Sequence, residues 1–206
     1  GKVFRFNEQA DQFEHIYSYP NETSEILLLS FNYVDSNHKI WMGNKGNLHI
    51  YDYDKKKTIA ITQHPLYATT SITEMHPNSY AIGTTNGIYE AKITEDTLRL
   101  NNTTPLLKNL QKQIEKLYYH KPSNSLIIST LRKGLYIYDL NQEKLSQPFN
   151  LKTTSANKIT SLSDTEVLVA TNGAGIYKID LISQTWEPYI TANYDEIGEM
   201  NGNNIK

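Results

Sequence analysis

One pattern recurs four times along the 206-residue chain and restricts its fold more than any other feature. A short apolar stretch ends in a small or hydroxyl residue, a tight turn follows, and a Tyr-rich alternating stretch resumes. The first two copies are Ile40-Trp41-Met42-Gly43 leading to Asn47-Leu48-His49-Ile50-Tyr51-Asp52, and Ala81-Ile82-Gly83-Thr84 leading to Gly87-Ile88-Tyr89-Glu90. The next two are Ile127-Ile128-Ser129-Thr130 leading to Gly134-Leu135-Tyr136-Ile137-Tyr138-Asp139, and Val169-Ala170-Thr171 leading to Gly175-Ile176-Tyr177-Lys178-Ile179-Asp180. The turn residue stands at 47, 87, 134 and 175, giving spacings of 40, 47 and 41. A period of about 40–50 residues with several short strands in each unit predicts a β-propeller. Each repeat then folds as one four-stranded antiparallel blade.

The unit at 114–150 shows the order of strands. Strand A is expected at 114–119, strand B at 126–130, strand C at 135–140 and strand D at 145–150. By the same pattern, A strands fall near 26–33, 71–76 and 158–163, and D strands near 58–63, 97–101 and 185–190. The expected division is residues 1–20 as strands C and D of a partial blade, then complete blades at 21–64, 65–102, 103–150 and 151–192. Residues 193–206 would begin another. Gly87, Gly134 and Gly175 stand where a tight B–C hairpin calls for positive φ. Strand C alternates, as in Leu135 and Ile137 against Tyr136 and Tyr138, so that each set faces a different neighbouring blade. Asp52, Asp139 and Asp180 open the outer turn, where a carboxylate caps backbone N–H groups.

Composition agrees with an all-β chain, since 15 Tyr and many Thr favour strands while Asn favours turns. Twenty basic against 22 acidic side chains leave a formal charge of −2, which gives no basic footprint for nucleic acid. No apolar run approaches the roughly 20 residues of a membrane span. The absence of cysteine removes disulfide frameworks, thiolate metal sites and thiol nucleophiles together.

Little in the residues marks catalysis. No two of His15, His38, His49, His64, His76 and His120 stand at i, i+2 or i, i+4, so neither a metal site nor a cofactor is expected. Nucleophile-elbow and phosphate-loop spacings are absent. A binding site is expected on the face carrying the B–C and D–A loops. The candidates there are Arg132 and Tyr67, supported by Asn86, Asn172 and Lys133. An aromatic ring stacks on the flat apolar face of a ligand, while Asn and Arg bond hydroxyls and carboxylates. The long D–A connection at 102–113 contains Leu106, Leu107 and Leu110 and accounts for the 47-residue spacing. Its leucines either pack onto the propeller or belong to a functional loop.

The four copies together resemble the two-component regulator propeller (Reg_prop) repeat, over nearly the whole chain. Only one copy carries the Trp, and the second lacks the Asp. The resemblance implies part of a seven-bladed propeller in the periplasmic sensor region of a hybrid two-component histidine kinase, which also carries a membrane span and kinase modules. It implies a non-catalytic segment whose partners are a small-molecule ligand of saccharide type, other domains of the same sensor and a second copy. Nucleic acid and direct membrane contact are not implied. Four complete blades and a partial one fall short of a seven-bladed ring, so exposed sheet edges or an unpaired blade face are expected. Two alternatives remain open: a scaffold or dimerisation propeller with ligand bound elsewhere, and a glycan lyase or hydrolase.

Overall fold

The computed structural model describes residues 2–18, 29–44, 47–61, 68–101, 107, 110, 113–131, 133–147, 155–172 and 174–190. They form an all-β propeller made of successive antiparallel sheets, here called blades I to V. Blade I is a hairpin of β1 (Lys2–Asn7) and β2 (Gln12–Ser18). Blade II contains β3 (Leu29–Val34), β4 (Lys39–Asn44), β5 (Asn47–Asp52) and β6 (Lys57–Thr58) as strands A to D. The short strand β7 (Ala60–Ile61) follows. Blade III is β8 (Thr69–His76), β9 (Ser79–Thr84), β10 (Gly87–Thr94) and β11 (Thr97–Asn101). Blade IV is β12 (Ile114–His120), β13 (Ser125–Thr130), β14 (Gly134–Asp139) and β15 (Lys144–Ser146). Blade V is β16 (Ala156–Ser161), β17 (Glu166–Thr171), β18 (Ile176–Asp180) and β19 (Thr185–Ile190).

One departure from the expected meander is instructive. The D strand expected near 58–63 is divided in two. Lys57 and Thr58 pair with strand C of their own blade, and the Ile59 N–H still donates to the Ile50 carbonyl at 2.9 Å. Ala60 and Ile61 then leave that sheet and run parallel to β11 of blade III, giving it a fifth strand. Ile59, between the two pieces, is only 2% exposed and belongs to the core between blades II and III.

The B–C hairpins explain the repeated Thr as well as the repeated Gly. Gly87, Gly134 and Gly175 have φ of 116°, 84° and 86°, a region that a Cβ makes costly. In each turn a buried threonine preceding it donates its hydroxyl to the glycine carbonyl. The distances are 3.0 Å for Thr84, 3.1 Å for Thr130 and 2.8 Å for Thr171. At the other end of strand C, Asp52, Asp139 and Asp180 each accept backbone N–H groups of the following turn at 2.7–3.1 Å.

Packing follows from the period of two in each strand. Tyr136 and Tyr138 join Ala81, Ile88 and Leu117 between blades III and IV, whereas Leu135 and Ile137 join Val167, Val169 and Ile179 between IV and V. Leu107 and Leu110 of the long connection are buried in the III–IV core, so its described leucines serve packing. The close approach of these two sheets requires Gly83, whose added Cβ would lie 2.6 Å from Ile114 Cγ2.

Polar links cross each of these seams. Ser71 and Thr73 hydroxyls of blade III accept the Leu117 and Tyr119 N–H groups of blade IV at 2.9 and 3.2 Å. Ser129 accepts the Ala156 N–H of blade V at 2.8 Å. His120 is fully buried; with Nε2 protonated it donates to the Ser163 carbonyl of blade V and accepts from Ser123 at Nδ1. Between blades II and III the link is a carboxylate. Buried Asp35 accepts the Trp41 indole N–H at 3.0 Å, the Tyr80 hydroxyl at 2.7 Å, and the Asn37 and Lys39 N–H groups at 2.9 Å. Burial first, and then the Asp35 carboxylate, push the Tyr80 phenol far above its usual range, so it remains a donor.

Lys116 is a costly, half-buried position beside this core. Burial first, and then the neighbouring Lys158 charge, hold its ammonium below the usual lysine value. The unfolded chain therefore binds more protons between that lowered value and 10.5, and stability rises with pH across that window. Lys116→Met is expected to raise the melting temperature at neutral pH, with the gain shrinking as pH approaches 10.5. Gly83→Ala should lose about 1–3 kcal/mol through overpacking, measured by urea unfolding. Asp35→Ala should lose about 2–4 kcal/mol in the same assay, because the Tyr80 and Trp41 donors remain buried without their acceptor.

Candidate functional site

The B–C turns lie beside the starts of the A strands, so they share one face of the propeller. The Thr85 N–H donates to the Ala68 carbonyl at 3.1 Å, Leu131 to Gln113 at 2.9 Å and Asn172 to Ser155 at 3.0 Å. Three of the expected site residues belong to this face. Asn86, Lys133 and Asn172 are all exposed, each on a different blade's B–C turn. The Asn86 N–H is held by the Thr84 hydroxyl at 3.1 Å, and the Lys133 carbonyl accepts from the Gln147 amide at 2.6 Å. Their backbones are thus fixed while their side chains face solvent. Tyr67 and Arg132 lie outside the described residues.

A further feature of this face was not anticipated from the repeat. Every complete blade has a register shift at the start of strand A, between Leu29 and Phe31, Thr69 and Ser71, Ile114 and Lys116, and Ala156 and Lys158. The extra residues are Ser30, Thr70, Glu115 and Asn157, and all four are polar. A bulge redirects a side chain without ending the strand. The Glu115 carboxylate accepts from the Gln113 amide at 3.2 Å, and the Thr70 hydroxyl is buried with no hydrogen-bond partner among the described residues. The sequence signal was available: one polar residue recurs two places after the D–A loop, just before strand A resumes its alternation.

The opposite face carries the A–B and C–D turns, and there blades II and III enclose an open cleft of about 360 Å³. Asn37 and Asn78 line it from the A–B turns; Asp52, Asp54, Lys55, Glu95 and Asp96 line it from the C–D turns. Lys39 and Ile93 complete the wall. Lys39 is 6% exposed and Asp52 3% exposed, so two charged residues form the cleft's buried part. Asp96 is bound by Lys57 and, at 2.7 Å, by Lys55; these ammonium groups hold its carboxyl below the usual range. His38 Nδ1 lies 3.0 Å from the Asp54 carboxylate. Among the described residues, no three His, Cys, Asp or Glu side chains gather as a metal site would require.

No family model matches the sequence, and no curated protein matches it. Solved structures match its fold. One, described as the extracellular domain of a hybrid two-component system (BT3049) from B. thetaiotaomicron, has a TM-score of 0.64 at 17% identity, over 92% of this chain and 25% of that one. Another, described as the extracellular domain of a one-component system (BT4673) from the same organism, has a TM-score of 0.60 at 19% identity, over 84% of this chain and 23% of that one. A chain of a mitotic checkpoint complex has a TM-score of 0.69 at 8% identity, over 90% of this chain and 58% of that one. The chain therefore spans a quarter or less of the two bacterial proteins. At these identities the likeness establishes the β-propeller fold.

Proposed function

We propose that this chain is a non-catalytic, ligand-sensing propeller segment of a membrane-bound two-component sensor, located outside the cytoplasm. It recognises an oligosaccharide or similar small extracellular ligand and relays occupancy to a histidine kinase. The observation that carries this reading is the fold likeness, over 92% and 84% of the chain, to two extracellular domains of bacterial signalling systems. The mitotic checkpoint match shows why fold alone would be insufficient, since the same architecture also serves an unrelated assembly. The repeat's resemblance to the two-component regulator propeller is an independent line of support.

Recognition is assigned to the face of the B–C turns. Tyr67 stacks against a sugar ring, Arg132 and Lys133 bond hydroxyl or carboxylate oxygens, and Asn86 and Asn172 donate and accept at the rim. Signalling requires the ligand to bind two arrangements of neighbouring domains with different affinity. Those neighbours are other domains of the same sensor or a second copy of this chain.

A second reading is favoured by the distribution of exposed apolar side chains. Phe4, Phe6 and Phe13 are exposed on blade I, and Ile182, Trp186, Tyr189 and Ile190 on blade V. Such patches mark packing surfaces. In this reading the propeller is a scaffold or dimerisation platform, and ligand binds elsewhere. The double variant Arg132→Ala with Tyr67→Ala, in the full sensor, separates the two. The sensor reading expects oligosaccharide affinity and kinase output to fall together by about tenfold or more. Unchanged binding and output in that variant, with self-association lost when Trp186→Ser and Phe13→Ser are introduced, would favour the scaffold.

A further inference from the structure

We infer that the cleft between the outer turns of blades II and III is a second ligand site, on the face opposite the proposed mouth. Its ligand class is a neutral polyhydroxylated molecule such as a monosaccharide unit. The inference begins with Lys39. This residue is 6% exposed, yet its ammonium has a single described hydrogen bond, to the Asn78 side-chain carbonyl at 3.3 Å. Among the described residues, no carboxylate lies within ion-pair distance of Nζ. An ammonium has three donors. Lys39 and Asn78 together border a cleft of about 360 Å³, so the ammonium's other donors can reach a molecule seated there. That volume lies at the small end of the range for ligand sites, about 300–1,000 Å³.

The remaining wall selects the ligand's charge. Asp54 is engaged by His38, Asp96 by Lys55 and Lys57, and Asp52 accepts the Lys55 N–H at 2.9 Å. Glu95, on the exposed rim, has no described partner for its carboxylate. An anion drawn to Lys39 would meet four carboxylates in the lining. A cation drawn to those carboxylates would meet Lys39 and Lys55. A hydroxyl avoids both conflicts because it accepts from an ammonium and donates to a carboxylate. Vicinal hydroxyls would bridge Lys39 to Glu95, the Asn37 amide would bond at the rim, and Ile93 would face the ligand's C–H surface. Among the described residues no aromatic ring lines the cleft, so recognition rests on hydrogen bonds, and millimolar affinity is expected for a single unit.

Saturation-transfer NMR and calorimetry on the full protein test this with D-glucose, D-galactose and myo-inositol as neutral probes. Glucuronate, glucosamine and glycine supply the anionic, cationic and zwitterionic controls. At least one neutral probe should bind in the millimolar range, and more tightly than every charged control. Lys39→Met should weaken that binding about tenfold or more. The rim substitution Glu95→Gln, which leaves the buried part intact, should weaken it about threefold. The Lys39→Met loss should be of the same size in the Arg132→Ala, Tyr67→Ala background, which removes any contribution of the mouth, so failure of the mouth and failure of the cleft give different results. The inference is overturned if no neutral probe binds, if a charged control binds as tightly, or if Glu95→Gln and a folded Lys39→Met both bind like the parent.

Discussion

A blade of this protein is apolar on both of its faces, and the rest of the architecture depends on that constraint. In blade IV, Tyr136 and Tyr138 point to one neighbour while Leu135 and Ile137 point to the other. Neither set can leave water unless another sheet covers it. A single repeat therefore has no stable core of its own, and each blade is completed by the two beside it. Uncovered faces follow at the ends of the described sheets. Phe13 at 69% exposure lies on blade I and Tyr189 at 53% on blade V, whereas the large apolar side chains of blades II to IV are mostly enclosed.

Within the seams, specificity comes from polar groups that the apolar pattern alone would not supply. Apolar faces tolerate sliding; a hydroxyl bonded to a particular backbone N–H does not. Ser71, Thr73 and Ser129 each fix the neighbouring A strand in one register. Asp35 ties blade II to the Tyr80 hydroxyl on strand B of blade III, while His120 ties blade IV to the Ser163 carbonyl in the A–B turn of blade V. The two residues occupy comparable positions at the end of strand A and solve the same problem with different chemistry. The chain has kept the location of the link rather than its identity.

The repeat made the fold legible because a two-residue alternation and a Gly-marked hairpin are both written locally. Gly87, Gly134 and Gly175 and the caps at Asp52, Asp139 and Asp180 were readable for this reason. The departure of Ala60–Ile61 was not, because it depends on the edge of β11, whose paired residues lie 37 positions further along the sequence. The same limit applies to the sites. Asn86, Lys133 and Asn172 could be placed on one face from their turns, but the cleft joins Lys39 to Asn78 across two repeats. Pairing of that kind depends on the seam geometry. Lys39 reads in sequence as an ordinary polar residue opening strand B, and its burial appears only when blade III is set against it.

The divided D strand of blade II has a mechanical consequence. In a linear array of repeats, cooperativity is set by how strongly nearest neighbours are coupled. Most seams here are sandwiches of side chains with a few cross-links. At II–III the backbone itself changes sheets, with Ile59 buried between its two pieces. Fraying of blade II must therefore also strip the outer edge from blade III. The pair should open as one unit under force or heat, with the other seams as the weaker planes. Any load applied along the array would be transmitted through blades II and III as though they were a single thick plate.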